Sequence, residues 1–554
     1  MSTHNHESPV EKIKKASDGL RGTLKESLLD EHTGAIREDD QSLVKFHGMY
    51  QQDDRDRRDE RADKKLERLY SFMIRLRLPG GFLTAQQWEA LHHIAGEHST
   101  GVIKITTRQT VQLHGILKSH IKPTIQAFNE WKLDSIAACG DVNRNVVVTA
   151  YPKASPVHEE VFQYADTLST ALLPKTKAYY EIWLDEEKLA ERKEEEDPLY
   201  GNWYLPRKFK IAIAIPPYND ADILTNDVGL IAIIEKGKLT GFNVAAGGGM
   251  GSTHGNAETY PRLATVLGFV PKKDVVKTVY EIATVQRDFG NRSDRKLSRL
   301  KYTVERMGID VFKAEVEKRA GKPFAKAKPF TFTYRNDEFG WQQNHEGNWY
   351  YTSFIENGRV LDEKDVQFKT AFLKIAQSGK AGFRFTCNQN LIVSDILPAD
   401  KAFVEAVLQQ HGVIQHTEKA SSIRKQSMAC VAFNTCPLAL AEGQRYLPTL
   451  ITHIETILGK YGLQDEGIII RMTGCPNGCA RPYIAEIGFV GTGYGKYNVH
   501  LGADVSGQRL NKLYRENLDE AEILAELDEL LGRFSSGRKI AESFGDFVVR
   551  EAIV

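Results

Sequence analysis

The sequence predicts an α+β fold with a pseudo-twofold internal duplication. Three observations carry that expectation. Short strand-like runs alternate with helical patterns over most of the chain. Two pairs of segments repeat, in the same order, in the two halves. The chain has 554 residues, too many for one core, so about two to four domains are expected.

The strand-like runs are "SFMIRLRLPGG", "GVIKITT", "NVVVTAY", "KFKIAIAI", "VGLIAIIE", "GFRFT", "NLIVS", "GIIIRMT" and "EIGFVG". Helical periodicity falls between them in "TAQQWEALHHIAGEH" and "EEVFQYADTLSTALL", and near the end in "AEILAELDELLGRF". "IKITTRQTVQLHGI" from Ile103 resembles "FRFTCNQNLIVSDI" from Phe383. "KFKIAIAI" with downstream "GKLTGFNVAAGGGMGSTH" parallels "GIIIRMTG" with downstream "GYGKYNVHLGADVSGQR". So long a period does not suggest a solenoid. It suggests a duplicated two-part unit whose halves pack face to face.

Lys+Arg and Asp+Glu both total 73, so a general nucleic-acid binder is not expected and any positive patch is local. No apolar run reaches membrane-spanning length. The start, "MSTHNHESPVEKIKKASDG", lacks the apolar core of a signal peptide. A cytoplasmic protein is expected, in which clustered cysteines favour metal or redox chemistry over disulfides. Residues 1–70, ending in "QQDDRDRRDERADKKLE", read as a mobile, charged, partner-docking leader with short helices and no core. His4 and His6 are read as solvated.

Four of the six cysteines cluster. Cys430 and Cys436 have five residues between them; Cys475 and Cys479 have three. Structural zinc suits four thiolates, but its cysteine pairs usually have about two to four residues between them. An iron–sulfur cluster also needs four thiolates and tolerates varied spacing. A helix starting at Pro437 would turn its positive end towards Cys436. The "GCPNGC" turn can point amide groups at sulfur. Both metals stay open on these residues. Cys139 and Cys387 read as small core residues.

The cysteine spacing, with "TGCPNGC", resembles the signature of the sirohaem and [4Fe-4S] sulfite and nitrite reductases. "RLRLPGG", "TTRQTVQLHG", "DVNRNV", "LPRKFKIA", "GFNVAAGGGMG" and "QRDFGNRSDR" extend the resemblance over nearly the whole chain after the leader. It is closest to the haemoprotein β components of the NADPH-dependent assimilatory type. The resemblance implies three domains around a central sirohaem and cluster. It divides the chain into the leader, a duplicated ferredoxin-like central domain (71–137 and 343–416), a first sirohaem-binding domain (138–342) and a second domain with the cysteines (417–554). It makes Cys430, Cys436, Cys475 and Cys479 the cluster ligands, with Cys479 also on the sirohaem iron. It implies six-electron reduction of sulfite to sulfide for cysteine biosynthesis, with an NADPH-oxidising flavoprotein as partner. Nitrite reduction is the near alternative, and a zinc-stapled protein without catalysis the remote one.

Sulfite is a small dianion, so its site needs fixed positive charge above an open metal position. Arg75, Arg144, Lys208 and Lys210 offer it, and Lys208 and Lys210 share one face of an extended segment. By the resemblance these four match the substrate-binding residues of the family. Sirohaem is rich in carboxylates, which call for Arg and Lys. Arg77, Arg108, Arg299 and Lys301 are candidates, Arg77 sharing the strand face of Arg75 two residues before it, with Gln112, His114 and Asn477 as polar contacts. Arg299 stands where some relatives carry lysine. "AAGGGMG" lacks dinucleotide-fingerprint spacing and reads as close backbone approach to the macrocycle. No NADPH or flavin site is evident, so electrons must come from a partner.

Overall fold

The computed structural model describes residues 7–184 and 196–554; His4 and His6 lie outside them. The duplication is visible as two matched pairs of five-stranded sheets. The first sheet orders Met49–Asp53, Tyr70–Arg75, Val111–Ile116, Ile103–Ile105 and Arg359–Val360. The second orders Gly340–Gln343, Trp349–Ser353, Leu391–Ile396, Gly382–Phe385 and Phe82–Leu83. Each sheet thus takes its last, short strand from the other half of the chain. Phe82 and Leu83 pair with Arg384 and Phe383, and Arg359 and Val360 pair with Lys104 and Ile103.

Backbone chemistry makes this exchange possible. Gly81 and Gly358, each just before an exchanged strand, have φ of +71° and +67°. A Cβ on Gly81 would lie 2.7 Å from the Gln109 carbonyl oxygen, and one on Gly358 would lie 2.5 Å from that of Ile105. Only glycine fits both the sign of φ and the space. The hairpins match as well: Thr106 N–H donates to the Thr110 carbonyl, and Thr386 N–H to the Asn390 carbonyl. Gln109 and Gln389 are left-handed at the same place in each turn. These are the segments that the self-comparison paired.

The other two sheets share a second pattern. Val147–Val148, Ile211–Ala214 and Val228–Glu235 run parallel, then Lys238–Ala246 and Thr265–Pro271 antiparallel. Ser427–Ala429, Ile470–Thr473 and Ile487–Gly493 run parallel, then Lys496–Leu501 and Lys512–Leu518 antiparallel. Ile211–Ala214 and Ile470–Thr473 are buried throughout, as strands covered on both faces must be. Leu447–Lys460 and Glu520–Gly537 supply the apolar cover of the last sheet. Among the described residues, no helix is long and apolar enough to cross a membrane.

The N-terminal segment differs from the expected leader without a core. Leu20, Leu24, Leu43, Val44, Phe46 and Met49 are buried in the main core. Met49–Asp53 is an edge strand antiparallel to Tyr70–Arg75. The charges are not idle either. Lys14 is buried on Glu11 and the Leu205 carbonyl, and Arg292 reaches Glu11 at 2.5 Å. Isolated apolar residues between charges give little periodic signal, and their partners lie far along the chain. The Phe46 ring packs edge-on to Tyr204 at 5.0 Å. Phe46→Ala should therefore lower unfolding free energy by about 3–5 kcal/mol. A denaturant midpoint equal to wild type would show the segment outside the core.

Candidate active site

The cysteines lie at the carboxyl ends of neighbouring parallel strands. Cys430 follows Ser427–Ala429, and Cys475 comes two residues after Ile470–Thr473. Loops beyond strand ends are where such sheets place ligands. Cys430 has Cys479, Cys436 and Cys475 as electrostatic neighbours, so the four thiols share one cradle. Yet no three of these sulfurs lie within 4.8 Å of one another. A single zinc, at about 2.3 Å from each sulfur, would hold them about 3.8 Å apart. Gly474 N–H donates to Cys430 Sγ at 3.3 Å, and Asn477 Nδ2 approaches Cys475 Sγ at 3.6 Å. Burial and then the neighbouring sulfurs push up the thiols of Cys430, Cys436 and Cys475, the last to about 12. These three thiols become thiolates here with bound cationic charge beside them.

No helix starts at Pro437. Residues 431–439 are turns and irregular backbone, and the next helix is Leu447–Lys460. Arg55, from the charged N-terminal run, takes over the expected role of a helix end. Its Nη1 donates to the carbonyls of Cys436 at 2.9 Å and Ala439 at 2.8 Å. Asn434 reaches Asp54 at 2.8 Å, and Arg445 reaches Asp56 at 2.5 Å. The segment read as a leader is thus latched onto the cysteine loop. Lys104, buried beside Cys430 and donating to the Asn357 carbonyl, is pushed down to about 7 by burial.

The cations form a second group that borders Cys479. Phe209 is buried, and Lys208 and Lys210 flank it on an extended bridge. That bridge is held by Arg144 N–H to the Phe209 carbonyl at 2.8 Å and by Val228 N–H to the Lys210 carbonyl at 3.0 Å. Burial, with Arg299, Lys210 and Arg207, pushes Lys208 well below its usual range. Burial, with Arg108 and Arg299, pushes Lys210 to about 7. The Cys479 sulfur acts on both lysines. Among the described residues, Arg207, Lys208, Lys210 and Arg299 form no ion pair. Arg207 Nε and Arg108 Nε are buried without partners. Unpaired cations and orphaned guanidinium donors beside a sulfur cradle suit a large polyanion.

The other predicted residues divide. Arg75 donates to Cys139 Sγ at 2.8 Å; Arg144 donates to the Ala138 carbonyl at 2.6 Å and approaches the same sulfur at 3.7 Å. Cys139 is buried, as expected, but it joins the two arginines instead of packing in an apolar core. Gln112 links Arg75 Nε, at 2.9 Å with its amide turned, to His114. Burial pushes His114 down to about 3. Arg108 donates to Asn226 at 2.8 Å and to the carbonyls of Asn145 and Ile211. Arg77 is taken up by Asp134 and Ser169, so it is not free for a cofactor carboxylate. Its strand ends at Arg75, and the face they were expected to share ends there. Lys301 is also occupied, on the carbonyls of Gly249, Gly251 and Tyr260. The glycine loop approaches protein closely: a Cβ on Gly248 would lie 2.2 Å from the Leu224 carbonyl oxygen. Ser252 N–H donates to the Pro476 carbonyl at 2.9 Å, tying this loop to the cysteine turn. Arg55, Lys104 and Arg207 were missed, because each gains its setting from loops far along the chain.

Comparison with known proteins identifies the family. Residues 65–131 match the family described as "Nitrite/Sulfite reductase ferredoxin-like half domain", and residues 163–324 match "Nitrite and sulphite reductase 4Fe-4S domain". The chain belongs to the nitrite and sulfite reductase family. Similar relatives carry the name sulfite reductase [NADPH] hemoprotein beta-component. The one from Leptospira biflexa is 67% identical over 554 residues and all of both chains. The one from Anoxybacillus flavithermus is 52% identical over 99% of this chain and 96% of its own. A solved structure of the Mycobacterium tuberculosis NirA protein shares the fold, with a TM-score of 0.79 and 24% identity over 99% of this chain and 97% of its own.

Arg55→Gln should loosen the cysteine loop. Charge-assisted bonds of this kind contribute about 1.5–3 kcal/mol, so chelator-driven iron loss should be roughly tenfold faster or more. An unchanged rate would make Arg55 a bystander.

Proposed function

We propose that this chain reduces sulfite to sulfide by six electrons, as the haemoprotein component of an NADPH-dependent assimilatory sulfite reductase in the cytoplasm. The observation that carries the proposal is the adjacency of the four clustered thiols to a group of half-buried cations that, among the described residues, form no ion pair. The sequence relatives carry the same activity in their name. Cys430, Cys436, Cys475 and Cys479 would hold a [4Fe-4S] cluster, with Cys479 shared with a sirohaem. Arg108, Arg207 and Arg299 would hold the sirohaem carboxylates, with Gln112 and His114 supporting Arg75. When bound, these groups would relay electrons and offer an open metal position.

The chain's own residues supply the rest. Arg75 and Arg144, joined through Cys139, and Lys208 and Lys210, beside Cys479, would bind the dianion and offset its charge. Partial desolvation strengthens each of these interactions. Lys210, poised near neutrality, suits proton delivery from Nζ. The glycine loop is closed by Lys301 and the cysteine turn, which leaves no dinucleotide cradle there. Electrons would come from an NADPH-oxidising flavoprotein subunit.

Lys208→Met and Lys210→Met should each lower sulfite turnover on the order of 10² or more, at near-normal haem content. Turnover per haem at the wild-type rate in both would remove these lysines from the site. In the wild type, the Lys210 proton is lost as pH rises through about 7, so the sulfite rate should fall across that range. A profile still rising there would contradict proton delivery from Lys210. Side-by-side steady-state rates on sulfite and nitrite with an artificial donor test the substrate. Higher kcat/KM on sulfite is expected, and higher kcat/KM on nitrite would reverse the assignment.

A further inference from the structure

Arg481 lies two residues after Cys479 and is 8% exposed, with φ of +56°. Its Nε is 2.5 Å from Asp222 Oδ2. Asp222 is also left-handed, at +45°, and both residues directly precede a short 3-10 turn after equivalent strands. They are therefore counterparts in the duplication that have acquired opposite charges. The remaining nitrogens of Arg481 reach the two hairpin turns: Nη1 donates to the Thr107 carbonyl at 3.0 Å, and Nη2 to the Cys387 carbonyl at 2.8 Å. Thr107 and Cys387 occupy matching positions in those turns. Thr107 closes the circuit by donating from Oγ1 to the Cys479 carbonyl at 3.1 Å. Arg471 reaches Asp222 at 2.6 Å, and Arg335 reaches the same carboxylate at 3.4 Å; the Arg335 carbonyl accepts from Asn388 Nδ2 of the second turn at 3.1 Å, whereas among the described residues the Arg471 side chain bonds to neither turn.

We infer that Arg481, paired with Asp222, is a positioning residue for Cys479. It fixes the loop that presents this sulfur against both ferredoxin-like turns, and so fixes its place between the thiol cradle and the basic chamber. The left-handed backbone at Arg481 and its fork of donors restrict this loop to one arrangement. The inference rests on the proposed function, in which Cys479 is shared by the two cofactors.

The test uses the full-length holoenzyme with isotopically labelled iron. Mössbauer spectra read haem–cluster coupling, with iron per chain and thermal unfolding measured beside them. Arg481→Lys keeps the charge on Asp222 but cannot span both carbonyls. Thr107→Val removes only the bond to Cys479. Arg471→Lys disturbs the same ion cluster away from the turns. Arg481→Lys and Thr107→Val should alter the coupling at wild-type iron content. Arg481→Lys should also lower sulfite turnover on the order of 10²-fold, the scale of a misplaced reacting group. Arg471→Lys should lower the melting temperature and leave the coupling unchanged. Wild-type coupling in both Arg481→Lys and Thr107→Val would overturn the inference. If Arg481→Lys does not assemble, Thr107→Val decides alone by the same criterion. A wild-type enzyme without coupling would overturn the proposed function, and this inference with it.

Discussion

The buried carboxylate of Asp222 is the constraint on which the two halves depend. It is 1% exposed and is approached by Arg471, Arg481 and Arg335. Those cations hold it well below the usual carboxylate range, against the effect of burial. Burying such charges is costly, and removing one partner typically costs about 3–5 kcal/mol because the others are left uncompensated. The cluster therefore tolerates one arrangement of the loops that carry it. Those loops belong to both halves, and one of them continues directly from Cys479.

Duplication followed by divergence accounts for the chemistry around that point. Asp227 and Glu486 are buried counterparts. One accepts from Lys210 N–H and the other from Ile469 N–H, both at 2.9 Å. The scaffold is thus the same on both sides, but the place of Lys210 in the first half is taken by Ile469 in the second. Thiols in turn occupy the strand-end loops of the second half alone. One half keeps the cations and the other the clustered thiols, and face-to-face packing joins them. Neither half carries a complete site.

The duplication was legible because turns and buried strands leave local marks: a threonine and a glutamine at matching places in the two hairpin segments, and apolar runs that recur in the same order. The thiol cradle was legible because its spacing is unusual. What depended on distant partners was not. Arg55 looked like one charge in a solvated run until the Cys436 loop was seen against it. Phe46 and Met49 lacked a periodic neighbourhood. Arg77 alternated correctly with Arg75, but alternation carries no record of where a strand stops, and Asp134 lies beyond that end. Lys301 stood two residues from Arg299, yet a helix starts between them and turns its ammonium onto the glycine loop.

The central claim is that thiols from one half and cations from the other enclose two iron groups coupled through one cysteine. Metal and sulfide analysis of the purified chain tests it most directly. The account predicts about five irons and about four acid-labile sulfides per chain, with a haem-type visible spectrum. Stoichiometric zinc without labile sulfide or visible absorption would contradict it.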